Sequence, residues 1–226
     1  MGYQNEDSYR RSLVLDLETY PIDGAAAYLE PVSAPSNYTK PEAIEGYVKK
    51  ATAEQFGKCA LDPDLCRIVA LGTYRSDEEW GVNTAVDEAA EKLALERFWD
   101  DLGPYPYPRL IGFNVLSFDL CVIVRRSQYL GIKTKPLQMG KYRHADVDDL
   151  MTLLTFDGAI KAHRLKFYAK RFGIQVDDAI DGKDIGALVA ANEWDKVIDH
   201  CKSDLFTTAA LARKLGILSA QPEAVL

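Results

Sequence analysis

Two carboxylates lie two positions apart in an apolar segment that is typical of a central strand, SLVLDLE at residues 12–18. The strand period of two places its three leucines on one face and Asp16 and Glu18 together on the other. Two adjacent anions on a buried face are costly unless a cation neutralises them. Two interpretations are open: the strand ends at Glu18 and both groups reach water, or both groups bind a metal ion.

A third carboxylate, Asp119, follows the predicted strand RLIGFN at residues 109–114 and falls in the first turn of the next helix. The free N–H groups and the positive dipole end of a helix stabilise a carboxylate there, which is a purely structural explanation. Its position also suits function, because binding sites of open α/β sheets lie at the carboxyl ends of strands. Asn114, Asp119 and the first pair would all lie at that edge.

The segment DHCKSDLF at residues 199–206 belongs to a predicted helix with a buried stripe at spacings of three and four residues. The stripe contains Val197, Cys201, Asp204, Thr208, Leu211 and Leu215. An ionised Asp204 in this stripe needs a partner, and a metal ion shared with the first pair would supply one. Cys201 is interpreted as a small core residue and not as a ligand. His200 lies one turn before Asp204 and can point into the site or into solvent.

Strand-like and helix-like segments alternate along the chain, which predicts an α/β fold and a single domain over residues 1–226. Further strands are expected at 67–75, 79–84 and near 142–146, after an irregular stretch at 21–40. Helices are expected at 40–58, 85–102, 117–131, 147–156, 163–174 and, as a pair, over 184–215. Ser117 is the candidate cap of the third helix and Gly131 its stop.

The composition, with 47% hydrophobic and 27% charged residues among 226, is typical of a globular protein. A polar start and the lack of an 18-residue apolar run favour the cytoplasm of a bacterium or phage-infected host, with no membrane partner. The four cysteines lack a CxxC pair and are expected to be reduced. A net charge of −7 argues against nucleic-acid binding through bulk charge, but it permits a local basic path or metal ions that cancel carboxylates.

In this order, the segments DLE, GFNVLSFD and HCKSD resemble the motifs of the DnaQ-like (DEDD) 3′–5′ exonuclease superfamily. The resemblance is strongest to the branch related to the exonuclease domain of family B DNA polymerases, and to stand-alone phage or prophage predicted exonucleases. It covers nearly the whole chain. It implies an RNase H-like fold, a central mixed five-stranded sheet flanked by helices. The helical segment at about 22–58 would be an insertion that covers the substrate groove or only pads the sheet edge.

The resemblance implies four metal ligands, Asp16, Glu18, Asp119 and Asp204, and two Mg²⁺ or Mn²⁺ ions, which oxygen ligands favour over zinc. As a hypothesis, the first pair and Asp204 bind the ion that activates water, and Asp16 with Asp119 binds the second. His200 departs from the branch, which has tyrosine at this position in a Y-x3-D motif. A neutral imidazole can accept a proton near neutral pH, whereas a phenol mainly orients water.

Candidate substrate contacts flank these motifs. Asn114 would touch the terminal nucleotide, and Phe113 and Phe118 would stack on a base or pack in the core. The segment KAHRLKFYAKR supplies a basic path for phosphates or a solvated helix face, with Lys161, His163, Arg164, Lys166, Lys170 and Arg171. Lys202 is an alternative phosphate contact.

The leading hypothesis is a metal-dependent 3′–5′ exonuclease acting on single-stranded DNA ends in replication, recombination or repair. A replication or recombination protein is a candidate partner. One alternative is a 3′–5′ exoribonuclease, which would need groups that sense the 2′-OH. Another is a nucleic-acid-binding subunit without activity, in which His200 marks the loss of catalysis.

Overall fold

The protein is described by a computed structural model over residues 12–140 and 145–219. One mixed sheet contains five strands: β1 (Ser12–Pro21), β2 (Cys66–Tyr74), β3 (Trp80–Thr84), β4 (Arg109–Gly112) and β5 (Val147–Asp149). Their order is β3-β2-β1-β4-β5. The central β1 pairs antiparallel with β2 and parallel with β4, and β4 pairs parallel with β5. The predicted α/β fold with a five-stranded mixed sheet is confirmed.

Helices cover both faces of this sheet. They are α1 (Pro41–Lys58), α2 (Glu88–Asp101), α3 (Asp119–Tyr129), α4 (Leu150–Leu154), α5 (Leu165–Arg171), α6 (Ile185–Ala190) and α7 (Trp194–Lys214). Short 3₁₀ helices lie at Ala25–Tyr28, Cys59–Leu61 and Gly182–Asp184. No helix in residues 12–140 or 145–219 has the length and apolar character needed to cross a membrane.

The two faces of β1 belong to different cores, as the period of two predicts. Leu13, Leu15 and Leu17 pack in the cluster formed with α2 and α3. On the other face, Val14 joins a cluster that contains Leu205 from α7. The face that carries Asp16 and Glu18 is therefore the face that α7 covers.

A glycine allows α7 to approach the sheet closely. A Cβ atom on Gly72 of β2 would lie 2.5 Å from Leu205 Cδ1 and 2.8 Å from Cys201 Sγ. Contacts this short do not occur between real side chains, so any larger residue would push α7 away from β1 and β2. The position of Asp204, which lies between these two α7 residues in sequence, depends on this contact.

Two sequence predictions need correction. The fifth strand lies at Val147–Asp149 and not near 142–146, of which 142–144 fall outside the described residues. The following helix begins at Leu150. In the sequence, Asp148 and Asp149 indicate a helix start. In the structure, they belong to β5 and pair with Ile111 and Gly112 of β4. The Arg109 guanidinium donates hydrogen bonds to the Asp148 carboxylate, which offset the cost of placing this charge in a strand.

The start of α3 also differs from the prediction. This helix begins at Asp119, and the preceding residue, Phe118, provides no side-chain cap. Ser117 lies in the turn before it, where its N–H bonds to the carbonyl of Asn114. Ser117 is therefore not the cap, whereas Gly131 has the positive φ of 67° expected after a helix end. The single-domain assignment stays a prediction.

Gly72→Ala should destabilise the protein by about 1–3 kcal/mol, the usual cost of overpacking a core, and should lower any activity that depends on Asp204. Urea denaturation followed by circular dichroism measures the first effect. Gly81→Ala in the neighbouring β3 is the matched control, because its Cβ would meet no atom within 4 Å. Equal stability of the two variants would contradict the proposed close approach.

Candidate active site

Three elements bring four carboxylates together beside the central strand of the sheet. Asp16 and Glu18 come from β1, Asp119 is the first residue of α3, and Asp204 lies in α7. Glu18 and Asp119 are each only 6% exposed. The structure thus brings together all four acids that the sequence singled out.

A turn between β4 and α3 positions Asp119. Asn114 adopts a left-handed conformation with φ of 64°, which asparagine tolerates better than most residues. The buried carboxylate of Asp149 accepts hydrogen bonds of 3.0 Å from the backbone N–H groups of Asn114 and Leu116. The same carboxylate accepts a bond from the N–H of Met151 and so caps α4. Sequence reasoning did not find Asp149, which fixes this turn.

Two oxygens of the cluster are buried without a hydrogen-bond partner among the described residues, Asp16 Oδ2 and Asp204 Oδ1. A buried acceptor without a donor costs free energy, and a charged one costs more. Oxygen atoms of several carboxylates form the type of site that Mg²⁺ and Mn²⁺ bind. The residues present therefore fit divalent cations.

Electrostatics show how closely these acids interact. Burial raises the pKa of Asp16 well above its ordinary value, and the charges of Glu18, Asp204 and Asp119 raise it further. Burial likewise raises the pKa of Glu18, again with contributions from Asp204 and Asp119. Without a cation, the four groups cannot all be ionised at low cost.

The other two acids follow the same pattern. Burial raises the pKa of Asp119 to about 7, although nearby backbone N–H groups oppose the shift. Burial also raises the pKa of Asp204, while the charges of His200 and Lys166 lower it. The cluster therefore favours protonation in the absence of a metal ion.

His200 points into the site and not into solvent, because its side chain is only 2% exposed. Its Nε2 lies 3.5 Å from Glu18 Oε1, and its Nδ1 lies 2.6 Å from Asp178 Oδ2. Asp178, His200 and Asp204 offer ligand atoms within 4.8 Å of one another. Asp178 was missed in the sequence because it lies in an irregular segment, where neither strand nor helix periodicity exposes a misplaced charge.

The carboxylates open onto two adjoining cavities of about 1290 and 520 Å³. Both are lined by Asp16, Phe118, His163, Arg164 and Asp204.

Helix α1, which lies in the segment predicted to be an insertion, forms part of the wall of the larger cavity. Phe56 of α1 and Leu61 of the following 3₁₀ helix line it, and Leu61 is 71% exposed. A 2.6 Å hydrogen bond from Thr19 Oγ1 to the carbonyl of Ala60 fixes this wall to β1. Helix α1 of the predicted insertion thus borders the cavity beside the acids.

The structure separates the predicted substrate contacts into two groups. Phe113 and Asn114 line the smaller cavity. Phe118 and Arg164 line both cavities. Lys202, in contrast, lies away from the acids, with Nζ 4.6 Å from the ring centroid of Trp80.

Lys166 lines the larger cavity, but its ammonium is already engaged. Its Nζ lies 3.0 Å from Asp178 Oδ2 and donates to the carbonyls of Asp178 and Ile180. These three contacts occupy its three N–H donors. We therefore revise its predicted role from phosphate contact to support of the segment around Asp178.

The cysteines agree with the sequence interpretation. All four are free thiols. Cys201 is fully buried and packs among apolar residues such as Val69 and Val197. Burial raises the pKa of the Cys201 thiol well above its ordinary value, so it remains a neutral core residue.

A family model described as a predicted 3′–5′ exonuclease related to the exonuclease domain of PolB matches residues 60–221. The chain belongs to this family. This membership confirms the expected superfamily and the expected enzyme class, a 3′–5′ exonuclease. The match covers the segments that carry Asp119 and Asp204 and begins after α1.

A solved polymerase structure shows a similar fold. The family B DNA polymerase from the hyperthermophilic archaeon Pyrobaculum calidifontis is 19% identical over 90% of this chain, with a TM-score of 0.61. Exonuclease I is 16% identical over 91% of this chain, with a TM-score of 0.44. The chain spans only 24% of that polymerase and 45% of exonuclease I. A comparison with curated proteins found no match.

The metal-free protein should lose stability as the pH rises from about 4 to about 7. A carboxyl whose pKa is raised to about 7, as in Asp119, keeps its proton in the native state after the unfolded chain has released it. Deprotonation at higher pH then leaves repelling charges in the site. Thermal unfolding in a chelator across this pH range measures the effect, and Mg²⁺ should reverse it.

At a pH above the raised pKa values of the cluster, Asp16→Asn should stabilise the metal-free protein by about 1–3 kcal/mol, since it removes one of the repelling charges. The variant should also lose most of the stabilisation by Mg²⁺. Asp199→Asn, which changes an exposed carboxylate of α7, is the control. Wild-type stability for Asp16→Asn in both conditions would argue against a metal site.

Proposed function

We propose that the protein is a divalent-metal-dependent 3′–5′ exonuclease that hydrolyses phosphodiester bonds at the 3′ end of single-stranded DNA. The observation that carries this proposal is the convergence of four buried or half-buried carboxylates from three elements, in which two buried oxygens have no hydrogen-bond partner among the described residues. Family membership supports it, since the family is described as predicted 3′–5′ exonucleases.

Asp16, Glu18, Asp119 and Asp204 would hold the ions. Divalent ions bound to such a set neutralise the carboxylates and the phosphate and favour deprotonation of the attacking water. Mg²⁺ or Mn²⁺ suits this all-oxygen set.

The residues around the acids would bind and orient the substrate. Asn114, held in its turn by Asp149, lies at the smaller cavity where a terminal nucleotide would reach Asp119. His200 directs Nε2 toward Glu18 and would orient the attacking water there. Arg164 lines both cavities with an 82% exposed side chain and can contact a phosphate, although it also lies 3.3 Å from Asp181.

A pair of stacked rings supports a single-stranded substrate. The rings of His163 and Phe167 lie parallel, 4.0 Å apart with an angle of 18°, beside the larger cavity. Phe167 is 44% exposed, so one of its faces or edges is available to a base. An aromatic platform next to a cation is typical of single-strand binding, because an unpaired base can stack on it. With a net charge of −7, this local arrangement matters more than bulk attraction.

Since the family model and the fold do not distinguish DNA from RNA, both belong in the assay. The preference for DNA, and a role in replication, recombination or repair, follow from the resemblance to polymerase-associated exonucleases. A replication or recombination protein is the partner class that this role implies.

Wild-type protein should shorten 5′-labelled single-stranded DNA stepwise from its 3′ end when Mg²⁺ or Mn²⁺ is present. Asp119→Asn and Asp204→Asn should each lower the rate by at least about 10²-fold, since each would remove a ligand that contributes several kcal/mol to transition-state stabilisation. Asp199→Asn should retain wild-type activity. Denaturing gel electrophoresis gives the products.

Three outcomes would change this proposal. Faster degradation of RNA than of DNA would make the protein an exoribonuclease. Binding of either nucleic acid without degradation by either metal would indicate a non-catalytic binding subunit. Full activity of Asp119→Asn or Asp204→Asn would exclude the carboxylate cluster as the active site.

Phe167→Ala should weaken binding of single-stranded DNA by about 1–3 kcal/mol, the usual contribution of one stacked base. Fluorescence anisotropy with Asp119→Asn as the background measures affinity without hydrolysis. Phe172→Ala is the matched control, since Phe172 is 36% exposed at the end of the same helix and is not among the residues that line either described cavity.

Oligonucleotides with a single abasic site sharpen this experiment. If a base stacks on Phe167, removing that base should weaken binding to the parent protein but not to Phe167→Ala. If the effects of the abasic site and of Phe167→Ala on binding are additive at every position near the 3′ end, no base stacks on Phe167. The exonuclease proposal would remain intact.

A further inference from the structure

Asp178 lies outside the three motifs, in the irregular segment between α5 and the 3₁₀ helix at Gly182–Asp184. Its side chain is nevertheless only 7% exposed and contacts the 2% exposed side chain of His200. The Nδ1–Oδ2 distance of 2.6 Å is typical of a charge-assisted hydrogen bond. A buried carboxylate from a loop thus contacts His200 directly. His200 is the residue that stands where the exonuclease branch that this chain resembles has a tyrosine.

Asp178 is itself held from several directions. Its Oδ1 accepts a 2.9 Å hydrogen bond from the N–H of Ile180, and Lys166 Nζ lies 3.0 Å from Oδ2. Lys166 also ties the segment together through the carbonyls of Asp178 and Ile180. Although burial opposes it, these donors and His200 lower the pKa of Asp178. Asp178 thus differs from the four acids of the cluster, whose environment favours protonation.

We infer that Asp178 is a positioning residue that fixes the imidazole of His200 with Nε2 directed at the water beside Glu18. This inference rests on the proposed exonuclease function and extends it to a residue outside the three motifs. Asp178 takes the Nδ1 side of the ring, so Nε2 is the nitrogen left for the site. Its 3.5 Å distance from Glu18 Oε1 exceeds that of a good hydrogen bond and suits a water that contacts both groups.

Ring chemistry explains why a histidine at this position needs such a partner. The hydroxyl of a tyrosine lies on the ring axis, so rotation of the ring by 180° leaves it in place. An imidazole has two inequivalent nitrogens, and the same rotation replaces each by a carbon. A carboxylate on Nδ1 selects one orientation and one tautomer, as carboxylates do for metal-binding and catalytic histidines.

The competing explanation is that Asp178 only stabilises its loop by pairing with Lys166. Loop stabilisation would change the unfolding temperature but not the rate per folded molecule or the environment of His200. The two explanations can therefore be separated by measurements on Asp178 variants that remain folded.

The kinetic experiment compares Asp178→Ala and Asp178→Asn with the control Asp177→Ala. Asp177 is the preceding residue, and its carboxylate is exposed. Single-turnover cleavage at saturating single-stranded DNA should be slowed about 10–100-fold in Asp178→Ala, the usual cost of losing such a supporting contact. DNA affinity should not change. Asp178→Asn should recover part of the rate, because its amide oxygen can accept the Nδ1 hydrogen.

The spectroscopic experiment needs no turnover. The chain has three histidines, so the ring nitrogens of ¹⁵N-histidine-labelled protein can be assigned with His200→Gln. The metal-free wild type should show a hydrogen-bonded His200 Nδ1 proton protected from exchange. Asp178→Asn should keep this resonance, and Asp178→Ala should lose it while its circular dichroism stays native.

A cleavage rate for Asp178→Ala equal to that of Asp177→Ala, or an unchanged Nδ1 resonance, would overturn the positioning role. Wild-type protein that degrades neither DNA nor RNA would overturn the proposed function itself. The two failures are distinguishable, because the Nδ1 resonance reports the contact between Asp178 and His200 without catalysis.

Discussion

Mutual repulsion among four carboxylates, two of them buried and two half-buried, is the constraint on which the rest of the structure depends. Burial and neighbouring charge both raise the pKa of Asp16 and Glu18, so the site is costly to form without cations. Apolar packing on both sides of β1 offsets this cost. The leucines of one face join α2 and α3, and the face with the acids is closed by α7. The site is thus a strained region held in place by two ordinary cores.

Two close contacts turn this packing into a defined geometry. Gly72 leaves room for Leu205 and Cys201, which brings α7 and Asp204 against the acidic face of β1. On the other side, Asp149 binds the backbone of the turn at Asn114 and so sets the start of α3, where Asp119 lies. Both contacts are rigid, because one is limited by steric overlap and the other by directional hydrogen bonds.

The sequence could predict the parts of the site that conflict with periodicity. Asp16, Glu18 and Asp204 stand out because each occupies a position where a strand or helix pattern expects an apolar residue. Asp178 lies in an irregular segment and Asp149 ends a strand of three residues, so neither interrupts a pattern. The fifth strand was misplaced for a related reason, since the favourable partners of Asp148 and Asp149 are distant in sequence. Long-range hydrogen bonds are not encoded in local spacing, and these residues required the three-dimensional structure.

Buried acids in this protein therefore fall into two classes that composition alone cannot separate. Glu91 is fully buried but binds Arg126 and the N–H of Ile68, and Asp149 accepts several backbone hydrogen bonds. Each of these carboxylates has donors that compensate its desolvation. Asp16 and Asp204 each keep a buried oxygen without a donor among the described residues. Because a fold gains nothing from an uncompensated charge, the two unmatched oxygens of Asp16 and Asp204 at the cavities, and not burial itself, mark a place that is arranged for a ligand.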